Sequence, residues 1–206
     1  FIPHKMQKNW HLDDRILYYM QMVIPNIFSI DCLGWCASSS IHPIPLSASI
    51  DQNALKILRQ RTIDRKTKFP QNTKYSTSEL GLINYIFFPC QLPHDETIAY
   101  HSDISVQDAL EALLYWRSNT NLNLPIVIKG HPANLGAMKP LKEIYMKYLP
   151  KLGSNNILWI DDIDIHDLLK NSLAIFTINS GVGFEALLHN KPVYTFGDSD
   201  YQSGVH

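Results

Sequence analysis

The sequence predicts an α/β protein whose carboxyl-terminal part is a parallel sheet wound on both faces by helices, a Rossmann-like unit. Three observations carry this reading. From Leu82 onward, five short apolar runs alternate with segments of helical periodicity. Each run is apolar at consecutive positions, as strands buried on both faces are. The fourth run breaks into Asn179-Ser180-Gly181-Val182-Gly183, a turn of small residues that opens a helix, so residues 173–197 read as strand, turn, helix and strand.

In chain order, residues 12–22 carry a helical pattern with acids in the first turn and His11 or Asp13 near the cap. Residues 26–31 read as a short buried strand after Pro25, and residues 34–40 as a loop of small residues. His42-Pro43-Ile44-Pro45 excludes helix. A helix follows from Asp51 to about Arg61, with Ala54, Leu55, Ile57 and Leu58 as its apolar positions. Residues 62–78 are polar and basic. They read as a solvated linker or, alternatively, as a surface for an anionic substrate or membrane face.

The regular part then runs strand 84–89, loop 90–103, helix 106–117 with Ser105 as N-cap, and strand 125–129. Loop 130–134 leads to helix 139–149, with Pro140 in its first turn. Strand 157–160, helix 163–170 and the opening unit complete the alternation, which right-handed crossovers turn into a two-sided parallel sheet. The chain divides into residues 1–82, an incomplete α/β portion with linker, and residues 83–206, the Rossmann-like domain.

The totals exclude several classes. A net charge of −1 gives no basis for a nucleic-acid partner. The three cysteines, Cys32, Cys36 and Cys90, are odd in number and lack metal-ligand spacing, which fits a reducing cytosol. No apolar run approaches the roughly 20 residues needed to span a bilayer, and no signal peptide is visible. A start at Phe1 and an end at His206 give the expectation of a piece of a longer chain.

Ligands of such sheets bind beyond the carboxyl ends of the strands. Three loops converge there: 90–95, 130–134 and 179–183. Ser180, Gly181 and Gly183 let backbone N–H groups approach a phosphate oxygen at a helix start, and Glu185 can accept from a sugar hydroxyl. The turn by itself equally fits a tight connection capped by Ser180, and it lacks the third glycine of a dinucleotide fingerprint.

His131-Pro132 directly follows a strand, with Lys129 just before it, so imidazole and ammonium can meet a phosphate while Pro132 fixes the loop. Alone, His131 reads as a cap; paired with Ser180, the phosphate reading is favoured. Asp95 can act as nucleophile or base toward an anomeric carbon, or simply cap a turn. His94, His101, His131, Asp95 and Asp103 have no metal-site spacing, so no metal is expected. Asp161, Asp162 and Asp164 read as a capped helix start. Ser180 lacks the frame of a hydrolase nucleophile.

FPCQLPHDETIAYHSD, IKGHPAN and NSGVGFEALLHNKPVYTFGDSDY, in this order, resemble the bacterial capsule polysaccharide synthesis family, whose members include retaining β-Kdo transferases that use CMP-Kdo. The resemblance covers residues 83–201, with a fainter echo in SIDCLGW and in the basic stretch before Tyr75. It implies a GT-B glycosyltransferase, with residues 83–206 as the donor-binding domain and 1–82 as part of the acceptor side. His131 and Ser180 would hold the CMP phosphate, and Glu185 the ribose or the loop. Gln91, Lys129, Pro132, Asn179, Gly181 and Gly183 would complete the donor site.

Asp95, in the Gln-x-x-x-Asp segment, matches the carboxylate that resembles the family's nucleophile in a double displacement. No cofactor or divalent metal is implied, since His131, Lys129 and the helix start can offset the leaving phosphate's charge. The implied partners are a nucleotide-sugar donor and a glycan or glycolipid acceptor of a surface polysaccharide or lipopolysaccharide. The implied place is cytoplasmic, with peripheral contact at the inner membrane through the basic run from Arg61 to Lys74.

The chain departs from that pattern in three ways. Residues 1–82 are too few for a full partner domain in an enzyme expected to exceed roughly 300 residues. The helix that crosses back at the carboxyl terminus is missing. Tyr201-Gln202-Ser203-Gly204 does not match the tail motif. The acid/base partner stays open between Asp31 and Glu96. Two other readings compete: a transferase using CMP-sialic acid or a UDP-sugar, and a non-catalytic nucleotide- or glycan-binding module.

Overall fold

The computed structural model describes residues 2–3, 17–24, 27–40, 51–64, 71 and 73–206. Its elements are β1 (Ile2–Pro3), β2 (Tyr18–Gln21), β3 (Phe28–Asp31), α1 (Gln52–Asp64), β4 (Tyr85–Pro89), α2 (Glu96–His101) and α3 (Val106–Ser118). They continue with β5 (Ile126–Lys129), α4 (Lys139–Leu152), β6 (Ile157–Trp159), α5 (Ile165–Asn171), β7 (Ser172–Thr177), α6 (Gly181–Leu188) and β8 (Val193–Thr195).

Strands β4 to β8 form one parallel sheet in the order β6-β5-β4-β7-β8. The chain enters at the centre, winds to one edge through β5 and β6, then crosses back to build the other side. The order reverses between β4 and β7, and such a reversal opens a crevice at the carboxyl ends of the strands.

All five residues of β4, Tyr-Ile-Phe-Phe-Pro, are buried. Alternation along the strand sends Ile86 and Phe88 into one core, and Tyr85 and Phe87 into another. β5 repeats the division, with Ile126 and Ile128 on one face and Val127 on the other. Leu110 and Leu114 of α3 and Leu141 of α4 close the first core. Leu168 and Leu169 of α5 and Ala186 of α6 close the second. The sheet is thus covered on both faces, as its consecutive apolar runs require.

The helix starts follow the sequence. Ser105 accepts from the Asp108 N–H at the start of α3, and Asp164 from the His166 N–H at the start of α5. α4 runs past the expected end at residue 149, through Pro150 in its last turn, and stops at Gly153 with φ 81°. α1 reaches Asp64, beyond the expected Arg61, with Asp51 accepting from the N–H groups of Asn53 and Ala54.

Two expectations are corrected. Within the segment read as a helix over 12–22, Tyr18–Gln21 is strand β2, paired antiparallel with β3 and parallel with β1. Cross-strand pairing of Tyr-Tyr-Met-Gln overrides the helical spacing, a common outcome for short apolar patterns. Residues 12–16 lie outside the described residues, as does His42–Pro45. The segment 90–103, read as a loop, contains helix α2 with Asp95 at its cap.

Of the basic stretch, residues 65–70 and 72 lie outside the described residues, and Lys74 pairs with Asp162 at 3.1 Å. Just before the sheet the chain already lies against it. The N–H groups of Lys74 and Tyr75 donate to the Asp162 carbonyl, Thr77 donates to Asp167, and Leu82 enters the second core. Among the described residues no helix is long and apolar enough to cross a membrane.

Candidate functional site

The carboxyl ends of β4, β5 and β7 open onto a cavity of about 610 Å³, within the size range of small-molecule sites. Gln91 and Asp95 reach it from the loop after β4, and Lys129, His131 and Pro132 from the end of β5. Asn179, Ser180, Gly181 and Glu185 reach it from the turn into α6. Of the predicted site residues, only Gly183 is not part of the wall. Met20–Val23, Cys36, Asp200 and Tyr201 also line the cavity.

The turn after β7 is held by shape and neutral hydrogen bonds. Ser180 Oγ accepts from the Val182 N–H at 3.2 Å, which leaves the hydroxyl proton to donate elsewhere. The Gly183 N–H donates back to the Ser180 carbonyl at 2.8 Å. A Cβ on Gly183 would lie 2.8 Å from Tyr201 Cζ, and Tyr201 Oη donates to the Ser180 carbonyl. Gly183 therefore makes room for Tyr201 behind the turn instead of letting a ligand approach. A side chain on Gly181 would meet Val23.

Gln91 and Asn179 are both buried and bonded to each other. Gln91 Nε2 donates to Asn179 Oδ1 at 3.0 Å, and the Asn179 N–H donates to Gln91 Oε1 at 3.1 Å. Glu185 is only 6% exposed and lines the cavity. Burial, reinforced by the negative charge of Asp164, pushes its carboxyl up to about 7.

The wall after β5 is held by charge. Asp161 Oδ1 accepts from the Gly130 N–H at 3.0 Å and from Trp159 Nε1 at 2.9 Å, while Lys142 Nζ meets Oδ2 at 3.0 Å. A Cβ on Gly130 would lie 2.7 Å from Asp161 Oδ1, so the glycine permits this contact. The Lys129 ammonium, buried, donates to the Asp161 carbonyl at 2.7 Å and so ties β5 to the loop after β6. Burial lowers its pKa, against the opposing field of Asp161, Asp164 and Asp162. His131 Nδ1 accepts from the Ala133 N–H at 3.2 Å, which places the proton of the neutral ring on Nε2. Burial holds this imidazole below its ordinary pKa, with the Asp95 charge pulling the other way.

Asp95 caps α2 and lines the cavity. Its Oδ1 accepts from Thr97 N–H at 2.9 Å and Thr97 Oγ1 at 2.7 Å. The cap reading describes its place, and the same residue stands on the cavity wall. Of the two acids considered as its partner, Glu96 lines the cavity. Asp31 is engaged elsewhere, by Leu33 N–H, Ser40 N–H and Ser40 Oγ. Burial and the Asp200 charge push the nearby Cys36 thiol up to about 12, so it is protonated at neutral pH. Among the described residues no cluster of three or more His, Cys, Asp or Glu side chains is placed to hold a metal ion.

Sequence reasoning missed two organising residues. Asp161 followed an apolar strand directly, the position from which sheets of this kind present ligand-site groups, yet read as a helix start. Tyr201 gave no signal, since its role depends on the missing side chain of Gly183.

Residues 44–204 match the family described as capsule polysaccharide biosynthesis protein. The chain is 33% identical over 122 residues to the capsule polysaccharide export protein KpsS of Escherichia coli, covering 57% of this chain and 31% of that protein. It is 28% identical over 121 residues to the capsule polysaccharide modification protein LipB of Neisseria meningitidis, covering 57% and 29%. The chain thus aligns with about a third of the length of these curated relatives.

Two structures of Thermosulfurimonas dismutans KpsC share the fold. The β-Kdo 2,7 transferase gives a TM-score of 0.58 at 21% identity, covering 90% of this chain and 58% of that one. The β-Kdo 2,4 transferase gives 0.59 at 18%, covering 90% and 62%. The Rossmann-like sheet is therefore of the GT-B kind, and the chain belongs to the capsule polysaccharide biosynthesis protein family.

Proposed function

We propose that the cavity is the donor site of a retaining glycosyltransferase that transfers Kdo from CMP-Kdo to a growing surface polysaccharide or lipid-linked acceptor. The observation that carries this reading is the convergence of Asp95, His131, Ser180 and Glu185 on one cavity at the sheet's switch point. Membership of the capsule family and the fold shared with two β-Kdo transferases support the donor.

In this reading the His131 Nε2–H and the Ser180 hydroxyl donate to the CMP phosphate at the amino end of α6, and Glu185 meets a ribose hydroxyl. Asp95 attacks the anomeric carbon. The bond from that carbon to the phosphate oxygen breaks, and its electron pair leaves on CMP. An acceptor hydroxyl then attacks the same carbon, loses its proton to a base beside the site, and releases the Asp95 carboxylate. Two inversions leave the β configuration unchanged. Glu96, on the cavity wall, would take the proton. Lys129 contributes positive potential from beneath the wall, so the phosphate's charge is met without a divalent ion.

The test is intact-protein mass spectrometry after incubation with CMP-Kdo. Wild type should gain the mass of one Kdo residue, and Asp95→Asn should not. Binding of CMP without an adduct or transfer in the presence of acceptor would favour a non-catalytic module. An adduct formed only from CMP-sialic acid or a UDP-sugar would reassign the donor.

A further inference from the structure

Asn179 is 4% exposed, and both donors of its amide are engaged within the protein. Nδ2 donates to the Thr97 carbonyl at 2.9 Å and to the Asp198 carbonyl at 3.2 Å. Oδ1 accepts from Gln91, whose own Oε1 takes the Asn179 N–H and, at 3.4 Å, the Thr177 hydroxyl. A primary amide has two N–H donors, so Asn179 has none left for a ligand. Thr97, held at its carbonyl by Asn179, holds Asp95 in turn. Both its N–H and its hydroxyl donate to Oδ1, and among the described residues no hydrogen bond reaches Oδ2.

We infer that Asn179 and Thr97 are positioning residues, which fix Asp95 relative to the phosphate turn so that Oδ2 is the oxygen presented to the reacting carbon. The inference rests on Asp95 being the nucleophile. When Oδ2 forms the ester, its lone pair makes the new C–O bond and CMP departs with the electrons of the old one. Oδ1 becomes the ester carbonyl. In the second step the C–Oδ2 bond breaks toward Asp95, and negative charge returns to the carboxylate. The two Thr97 hydrogen bonds strengthen as that charge develops, so they favour the departure of Asp95 as well as its orientation. A cap alone needs only the backbone N–H. The added hydroxyl bond, with Asn179 anchoring the Thr97 carbonyl, makes one rigid path from the turn after β7 to the carboxylate.

The experiment compares Thr97→Val, Thr97→Ser and Asn179→Leu with wild type, measuring turnover of CMP-Kdo with acceptor and, separately, the Kd for CMP. Thr97→Val keeps the side-chain shape and loses the hydroxyl. It should lower kcat roughly 10–100-fold, with the Kd for CMP within about twofold of wild type. Thr97→Ser should restore most of that rate. Asn179→Leu, which removes the amide without adding charge beside the phosphate turn, should show the same split. Unchanged kcat in Thr97→Val overturns the inference, and so does a loss of CMP affinity that accounts for the loss of rate. Asp95→Asn is measured alongside: turnover retained there overturns the parent reading and this one together. An inactive Asp95→Asn with a fully active Thr97→Val overturns this one alone.

Discussion

The loop after β5 and the turn after β7 line the same cavity, yet they are built in opposite ways. The β5 wall is an assembly of charges, with Asp161 drawing Gly130, Trp159 and Lys142 together and Lys129 buried beneath. The β7 wall is an assembly of neutral groups, the Gln91–Asn179 pair and the Tyr201 hydroxyl behind Gly183. Charge tolerates small displacements and responds to its surroundings, whereas amide pairs and close packing are indifferent to salt but fail when a single atom is added. The first wall supplies potential to the cavity, and the second supplies exact placement of Ser180 and, through Thr97, of Asp95.

The largest expected effect breaks the packed wall. Gly183→Ala would drive Cβ into the Tyr201 ring and should destabilise the fold by about 3 kcal/mol in urea titrations. The loss should be the same in low and high salt. On the charged wall, Asp161→Asn removes the carboxylate paired with Lys142 and the largest of the three charges acting on Lys129. It should cost about 2 kcal/mol, with a salt dependence that Gly183→Ala lacks. Equal salt responses in the two variants would dissolve the contrast.

Glu185 sharpens it, as the ionisable group on the otherwise neutral side. Its carboxyl lies at about 7 in the folded chain, above the ordinary 4.5, so the folded state binds the proton more tightly. Stability attributable to this group is therefore greatest below the unfolded value and falls as pH rises toward the folded one. A displacement of this size is worth roughly 3 kcal/mol once the group is fully ionised. Glu185→Gln should make the ligand-free protein about 2 kcal/mol more stable at pH 8, with the gain fading by pH 4, while weakening nucleotide binding. Thermal melts across that range check the sign. At the small end, Lys74→Ala removes an exposed pair with Asp162, 56% and 33% exposed, and should change stability by less than about 0.5 kcal/mol.

The same division marks what could be read from the sequence. β4 and β5 were legible because a strand buried on both faces is apolar at every position, and the strand order then located the crevice. His131, Ser180 and Asp95 were legible as residues of the cavity wall because they stand in the loops that follow β5, β7 and β4. The three-stranded part was less so: Tyr18–Gln21 fits a helical stripe until β3 is available to pair with it. The roles of Gln91, Asn179 and Lys129 were not legible either. Residue type and position brought them to the cavity wall, but only the hydrogen bonds show that their polar groups are largely engaged inside the protein. Gly183 illustrates the same limit, because a glycine in a turn looks alike whether it admits a ligand or a tyrosine.

The most direct test of the central claim, that the switch-point cavity is a cytidine-nucleotide donor site, is titration calorimetry of CMP into wild type and His131→Ala. The expected result is one site per chain, selectivity for CMP over UMP, and loss of most of the affinity in the variant. Absence of CMP binding at millimolar concentration, or equal binding by the variant, would contradict it.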